Sequence, residues 1–483
     1  MVQKCPTSVS RVHDAHYEQM DKGARSPLTL EAIHYSWREL GRRVEDAGLG
    51  TVFEQVNIDV YYGDLKGAQA DNASLIVVPC RGDAWQRLLG RGDRSLHWMQ
   101  PDRLVPNGVR LPFCDPVPVL FWGDGYEDGR KPFVERRDDG KVVFYADIVA
   151  ATFFMLSRWE ETVVAARDEH GRFPAAASVA YRQGFLDRPI VDEYALILRA
   201  WLKVLRPRWT PGSSRSSVRL SHDLDMVQSC PSFYAAGRKC VGDLLRRRSL
   251  RKAADTLGRF MNPTLDPVSQ GISELAALSE RYGFRSAFYF MGAKRSAYDS
   301  GYDPSSRFAT RCVDYLAGRG HEVGFHAGYH TLDDLGRFEW EKSRVEKVLQ
   351  NNRMGGRQHY LRFRAPDTWR MWENAGLAYD STLSYADHEG FRCGTCHPFH
   401  PFDIEHNRQM NLTEIPLIVM DGTLRQYRGL TPEQGRDRIL CLAERCKQVG
   451  GVFTLLWHNL SLQGEWEPWV PVYRDILPCL AAI

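Results

Sequence analysis

From residue 271 onward, two hydrophobic rhythms alternate. Segments 271–282, 308–316, 335–349, 369–375 and 432–449 place apolar residues every three or four positions, with Ile272, Leu275 and Leu278 on one face of the first, so they predict helices. Between them lie short apolar or β-branched runs at 286–290, 322–325, 360–364, 379–380 and 451–457, which predict buried strands. With a further strand at 217–220, this is a βα alternation, and it predicts a mainly parallel sheet, open or closed into a barrel. The first half is also mixed. Helices are expected over 28–45, 150–161 and 191–205, and strands over 74–78, 117–121 and 142–145. The Pro-, Gly- and Ser-rich stretch 206–217 separates the halves and predicts two domains, 1–212 and 213–483.

Composition changes this picture little. Of 483 residues, 43% are hydrophobic and 25% charged, as expected of a globular protein, and the formal net charge of +3 offers no general footprint for nucleic acid. The basic run 246–252 is read as a solvated helix or loop, with attraction to an anionic polymer or membrane face as the second reading. The 11 cysteines are odd in number and scattered, which suits reduced thiols. No run reaches transmembrane length and the first residues lack an apolar leader, so a cytoplasmic location is expected.

Polar residues at the predicted strand ends carry the chemistry. Asp223 and Asp225 follow strand 217–220 and, two apart, point to the same side. His326 and His330 follow strand 322–325. A helical turn over 327–329 would set both imidazoles on one face. Singly, each pair has an ordinary use, such as Asp as a helix cap. Together they supply the N/O ligands that zinc-like metals favour, with a carboxylate left over to take a proton from water. Arg364, Asp380 and His458 also end predicted strands, and Glu414 follows another possible one. A parallel sheet gathers such ends on one rim. Asp380 is placed to orient His458 or to line the pocket. Cys393, Cys396, His397 and His400 form a second ligand-like group. It is read as a loop of reduced thiols or a cleft wall, ahead of a zinc knuckle or a haem attachment motif.

Asp223-x-Asp225, His326-x-x-x-His330, Arg364-Ala-Pro366 and Leu455-Leu-Trp-His458 resemble, in order and spacing, the motifs of the polysaccharide deacetylases (the NodB-homology, carbohydrate esterase family 4 group) over roughly 215–483. The resemblance implies a deformed (β/α)7-type barrel and a divalent metal, most often zinc. It implies Asp225, His326 and His330 as ligands, Asp223 as general base, His458 as general acid and Arg364 as the residue that holds the base. The commoner pattern has adjacent aspartates and a longer histidine motif. Here Leu224 intervenes and the histidine motif is one residue shorter, as in a subset of the family. The roles of Asp223 and Asp225 are therefore exchangeable, and a chitin or peptidoglycan polymer is a less secure substrate. Segment 154–161 resembles an uncharacterised α/β domain that precedes such deacetylases in some bacterial proteins.

The expected activity is metal-dependent removal of an acetyl group from an N-acetylated sugar or glycan precursor, with glycan assembly machinery as a partner. Tyr329, Trp369, Tyr385, Phe391 and Trp457 suit stacking on a sugar ring, with many of them expected simply to be core. The alternatives are hydrolysis of another C–N bond in a small molecule, and a non-catalytic carbohydrate-binding or assembly protein. Retention of every expected catalytic residue argues against the last.

Overall fold

In the computed structural model, residues 28–44, 58–70, 73–126, 131–212, 215–230, 233–246, 248–262, 265–349 and 353–483 are described. The expected domain boundary at 213 and Arg247 of the basic run lie outside them.

The first half is built on a four-stranded sheet. Strands β1 (Val60–Tyr62) and β2 (Leu75–Val77) lead, after a hairpin of β3 (His97–Met99) and β4 (Val117–Val119), to β5 (Val134–Arg136) and β6 (Val142–Phe144), in the order β1-β2-β6-β5. Helices Leu30–Val44, Ile148–Leu156 and Ile190–Leu205 pack together beside it. Ile148–Leu156 is apolar on every side and buried throughout, as a helix inside a core must be.

The second half is organised by an eight-stranded sheet with order β14-β11-β10-β9-β8-β7-β16-β15. Its members in chain order are β7 (Ser217–Leu224), β8 (Ala287–Met291), β9 (Glu322–Ala327), β10 (Gly356–Gln358), β11 (Tyr379–Asp380), β14 (Thr413–Glu414), β15 (Val419–Met420) and β16 (Val452–Leu456). Between β11 and β14 lies a small antiparallel pair, β12 (Phe402–Asp403) and β13 (Arg408–Gln409). All neighbours in the large sheet are parallel.

The sheet must curl. Laid flat, its edges would stand ~34 Å apart at the usual strand spacing. Yet β14 and β15, at opposite edges, are separated only by residues 415–418, and five Cα steps reach at most ~18 Å. Ile415 N–H still bonds Asp380 O at one edge (2.8 Å), while Ile418 N–H already bonds Thr454 O at the other (3.1 Å). One short segment therefore bridges both edges of a strongly curled sheet. Its strands all run the same way, so their C-terminal ends share one rim.

Most expected elements occur within a few residues of their predicted bounds. Two do not, and both matter for the site. Residues 360–364 are not a strand: β10 runs over Gly356–Gln358, and the chain then turns through Tyr360 (φ 62°) and Leu361 (φ 52°), left-handed conformations uncommon for such side chains. Glycine is required at 356, where a Cβ would lie 1.7 Å from Phe325 O of β9. Nor is there a helical turn over 327–329. β9 continues to Ala327, Gly328 is extended, and a 3-10 turn begins only at Tyr329.

The halves interlock through one continuous hydrophobic core. Buried Arg158 pairs with Glu160 (2.7 Å) and Glu161 (2.8 Å) and donates to Tyr385 Oη (3.1 Å), while Glu161 also holds Arg392 (2.6 Å). Arg43 and Thr395 converge on Asp192 (2.8 and 2.6 Å).

Candidate active site

β7 ends in Asp223 and Leu224, and Asp225 follows; β9 carries His326 near its end; β10 is followed directly by His359; β15 is followed by Asp421 and β16 by Trp457 and His458. Asp223, Asp225, His359, Asp421 and His458 line one cleft of ≈350 Å³ at the C-terminal rim. That is near the lower end of the range for small-molecule sites, ~300–1,000 Å³.

At its floor, one ligand atom each from Asp225, His326 and His359 lie within 4.8 Å of one another. Asp225 Oδ1 is 3.3 Å from His326 Nε2 and 3.5 Å from His359 Nε2. The far side of each ring is engaged: His326 Nδ1 meets Arg357 O (3.0 Å) and His359 Nδ1 meets Asp299 Oδ1 (2.9 Å). A donating Nδ1–H turns the Nε2 lone pair of each imidazole toward Asp225. Asp225 Oδ1 and His326 Nε2 are buried with no hydrogen-bond partner. Such orphaned atoms are costly unless something binds them. Two imidazole nitrogens and a carboxylate oxygen converging this way fit a divalent cation with an open coordination position.

Asp223 flanks this group. Its Oδ1 accepts from Arg357 (2.8 Å), while its Oδ2 lies 3.9 Å from His326 Nδ1. Arg357 is wholly buried and is locked by Ser381 O (2.7 Å), Ser221 Oγ (3.0 Å) and Ser381 Oγ (3.1 Å). His458 adjoins the group too, its Nε2 4.0 Å from Asp225 Oδ2. Its Nδ1–H donates to Asp421 Oδ1 (2.7 Å) and its backbone N–H to Asp421 Oδ2 (2.8 Å).

The electrostatics follow. Burial opposes charge on Asp225, but the imidazoles of His359, His326 and His458 outweigh it and hold the carboxyl well below its ordinary range. Burial likewise disfavours a charged His458, but Asp421 and, farther off, Asp225 and Asp223 push it up to about 10. His326 is raised despite its burial, chiefly by Asp223 and Asp225.

Four expectations are corrected. His330 does not join Asp225 and His326. The strand persists past His326, so the two histidines occupy different elements, and His330 packs on Tyr298 and Tyr329 instead. Arg364 does not reach Asp223; it is half exposed and pairs with Asp333 (3.1 Å), because the strand that serves the rim ended six residues earlier. Asp380 does not touch His458. It is buried beside Glu414, away from the cleft lining, and accepts from Thr382, while Glu414 accepts from Trp369 Nε1 (2.8 Å). Trp457 is fully buried against Tyr473 and, like Trp369, Tyr385 and Phe391, belongs to the core.

Tyr329 does stand beside the cleft, stacked on Tyr298 at 3.8 Å. Tyr298, Tyr360, Tyr427 and Trp466 line the cleft itself. So does Arg172 from the first half, which donates to Tyr360 O (2.8 Å) and Tyr427 Oη (3.1 Å) and so braces the left-handed turn. Arg357, His359 and Asp421 were missed because their strands are only three and two residues long. The glycine pair at 355–356 and the sequence Val419-Met420-Asp421 were the available signals.

The Cys393–His400 segment does not form a four-ligand site. His397 Nε2 meets Val449 O (3.2 Å), His400 Nδ1 meets Leu412 O (2.8 Å), and the cysteines are buried. No helix among the described residues is long and apolar enough to cross a membrane.

Residues 103–207 match a family of unknown function, DUF7033; that segment includes Arg158, Arg172 and Asp192. No curated protein matches. Among solved structures, a Mycobacterium smegmatis chain described as a candidate polysaccharide deacetylase is 16% identical, with 57% of this chain and 86% of that chain covered and a TM-score of 0.37.

Proposed function

We propose that this protein is a divalent-metal-dependent amide hydrolase that removes the acetyl group from an N-acetylated sugar or glycan precursor. The observation that carries the proposal is the orphaned pair Asp225 Oδ1 and His326 Nε2, closed by His359 and flanked by two differently charged groups. Asp225, His326 and His359 would hold the cation, and zinc suits a set of two nitrogens and one oxygen. When bound, the cation supplies Lewis acidity, polarising the amide carbonyl and lowering the pKa of water.

The chain's own groups do the rest. Asp223 accepts a proton from the attacking water; Arg357 and the serines behind it fix the carboxylate so that little reorganisation is needed. His458 is held as an imidazolium by Asp421 and gives its proton to the departing amine, which is otherwise a poor leaving group. Tyr298, Tyr360, Tyr427 and Trp466 offer faces and hydroxyls to a sugar ring. Arg172 gives the first half of the chain a part in shaping that pocket.

The test is acetate release from a panel of N-acetylated monosaccharides, nucleotide sugars and lipid-linked glycans, with metal content measured alongside. Release that is lost on chelation, restored by zinc and absent from Asp223→Asn supports the reading. A protein that binds no metal, or releases acetate equally as Asp223→Asn, overturns it.

A further inference from the structure

The two helices that follow the Asp225 loop are arranged inside out for an aqueous surface. Helices Phe233–Leu245 and Leu250–Met261 pack on each other as a hairpin. The positions they bury against the protein or one another are small or polar. Ala236 and Ala253 are buried, Thr256 donates to Asp243 (3.0 Å), and Cys240 Sγ donates to Ala253 O (3.4 Å). The large side chains point outward. Phe233, Tyr234, Leu245, Leu250 and Met261 are 75–80% exposed, and Val241, Leu244 and Leu257 are exposed as well. Singly, exposed apolar residues mean little; a contiguous group on one hairpin marks an interaction surface.

Charge selects the partner. Residues 233–261 carry eight basic and two acidic side chains, whereas the whole chain is only +3, so the rest of the molecule is net negative. Arg238, Lys239, Arg246, Arg248, Arg251 and Lys252 are all exposed, while one of the two acids, Asp243, is buried. A second copy of the hairpin would bring like charges together. A nucleic acid would match the charge but leave the leucines wet. An anionic bilayer matches both: aliphatic side chains enter the head-group boundary while Arg and Lys stems lie along it with their cations on phosphate. The helices are 13 and 12 residues long, too short to span and long enough to lie flat.

We propose that this hairpin docks the protein on a membrane surface rich in anionic phospholipid. The surface stands on its own, apart from the chemistry assigned to the cleft. Its position has a consequence, however. A cavity of ≈860 Å³ adjoins the hairpin, lined in part by Val241, Leu245, Arg238, Lys239 and Arg246, and it shares Met226, Tyr298 and Ser300 with the cleft. Docking would bring this partly basic cavity, which borders the cleft, toward the lipid plane.

The test uses the full chain and sedimentation with vesicles of phosphatidylcholine alone or mixed with phosphatidylglycerol. The expected result is binding at least about ten-fold tighter to the anionic vesicles, weakened by salt. Two triple variants separate the contributions: Arg246→Glu with Arg248→Glu and Arg251→Glu, and Leu245→Ser with Leu250→Ser and Met261→Ser. Each is expected to lose about ten-fold or more in vesicle affinity while keeping the wild-type unfolding midpoint, since the altered residues are exposed. Absence of vesicle binding, equal binding to neutral and anionic vesicles, or indifference to both variants overturns the proposal. So does a wild-type dimer in solution that the apolar variant disperses.

Discussion

Among the described residues, two groups of three possible ligands converge: Asp225 with His326 and His359, and Asp192 with Cys396 and His397. By spacing alone they are equivalent, and each includes residues of a motif visible in the sequence. They differ in what their lone pairs already do. Asp192 accepts from Arg43 (2.8 Å), Thr395 Oγ1 (2.6 Å) and Cys396 N–H (2.9 Å), so its charge is neutralised and its oxygens are occupied. Burial and the neighbouring Cys446 and Asp192 raise the Cys396 thiol well above its ordinary range, which disfavours the thiolate. Asp225 Oδ1 and His326 Nε2, by contrast, are buried and have no hydrogen-bond partner. The lesson is that unsatisfied capacity, rather than proximity, separates a binding site from a structural knot.

The sharpest way to break this comparison is to remove the third ligand of the Asp225 group. His359→Ala is expected to lose most of the bound metal and about a thousand-fold in acetate release, whereas His330→Ala stays within about three-fold. Elemental analysis and the acetate assay check both; equal effects would mean that His330 moves in to serve the metal. Asp421→Asn comes next, with about a hundred-fold loss of rate and metal retained. Its pH profile carries the sign. Asp421 is the main reason His458 stays protonated up to about 10. A general acid is lost as pH rises past its pKa. Without Asp421 the alkaline limb is therefore expected to fall toward the ordinary histidine range, ~6.5.

The structural knot should respond oppositely. Arg43→Met leaves Asp192 a buried charge with one partner fewer, so it should destabilise the fold by ~3 kcal/mol in chemical denaturation and leave metal content unchanged. The smallest effect is expected at the buried Asp380–Glu414 pair. Burial raises Asp380 to about 6 and, with the neighbouring Asp380 charge, raises Glu414 well above its usual range. A carboxyl raised in the folded state stabilises most below its unfolded pKa, ~4, and that contribution is lost as pH climbs through 6. Glu414→Gln removes one titrating group but keeps a side chain able to hydrogen-bond Asp380. It should flatten the stability profile between pH 4 and 7 and add ~1–2 kcal/mol at pH 8; an unchanged profile would show that the pair does not share a proton.

Much of the second half was legible from the chain because its strands are short, apolar and bounded by amphipathic helices. The helix expected over 335–349 appears as Leu335–Leu349, and β16 lies within one residue of its predicted place. Residues 360–364 misled because Leu361 and Phe363 are apolar for packing under a turn, not for lying in a sheet. The real strand, Gly356–Gln358, contains no apolar side chain to announce it. Its place is set by close backbone approach to β9, which only glycine permits. The basic run 246–252 was visible as charge, but the outward direction of Leu250 within it and Leu245 before it was not, since helical periodicity alone does not say which face finds a neighbour.

By itself, then, the sequence determined that Asp223, Asp225, His326 and His458 stand at strand ends, because alternation along a strand and apolar runs across a sheet are local properties. Tertiary structure alone decided that His359 rather than His330 closes the cluster, and that Arg357 rather than Arg364 holds Asp223. Both residues arrive through the lateral pairing of β10 with β9, which sets Arg357 beside His326. Register between strands 31 residues apart in the chain depends on backbone approach and sheet curvature, which no local pattern encodes.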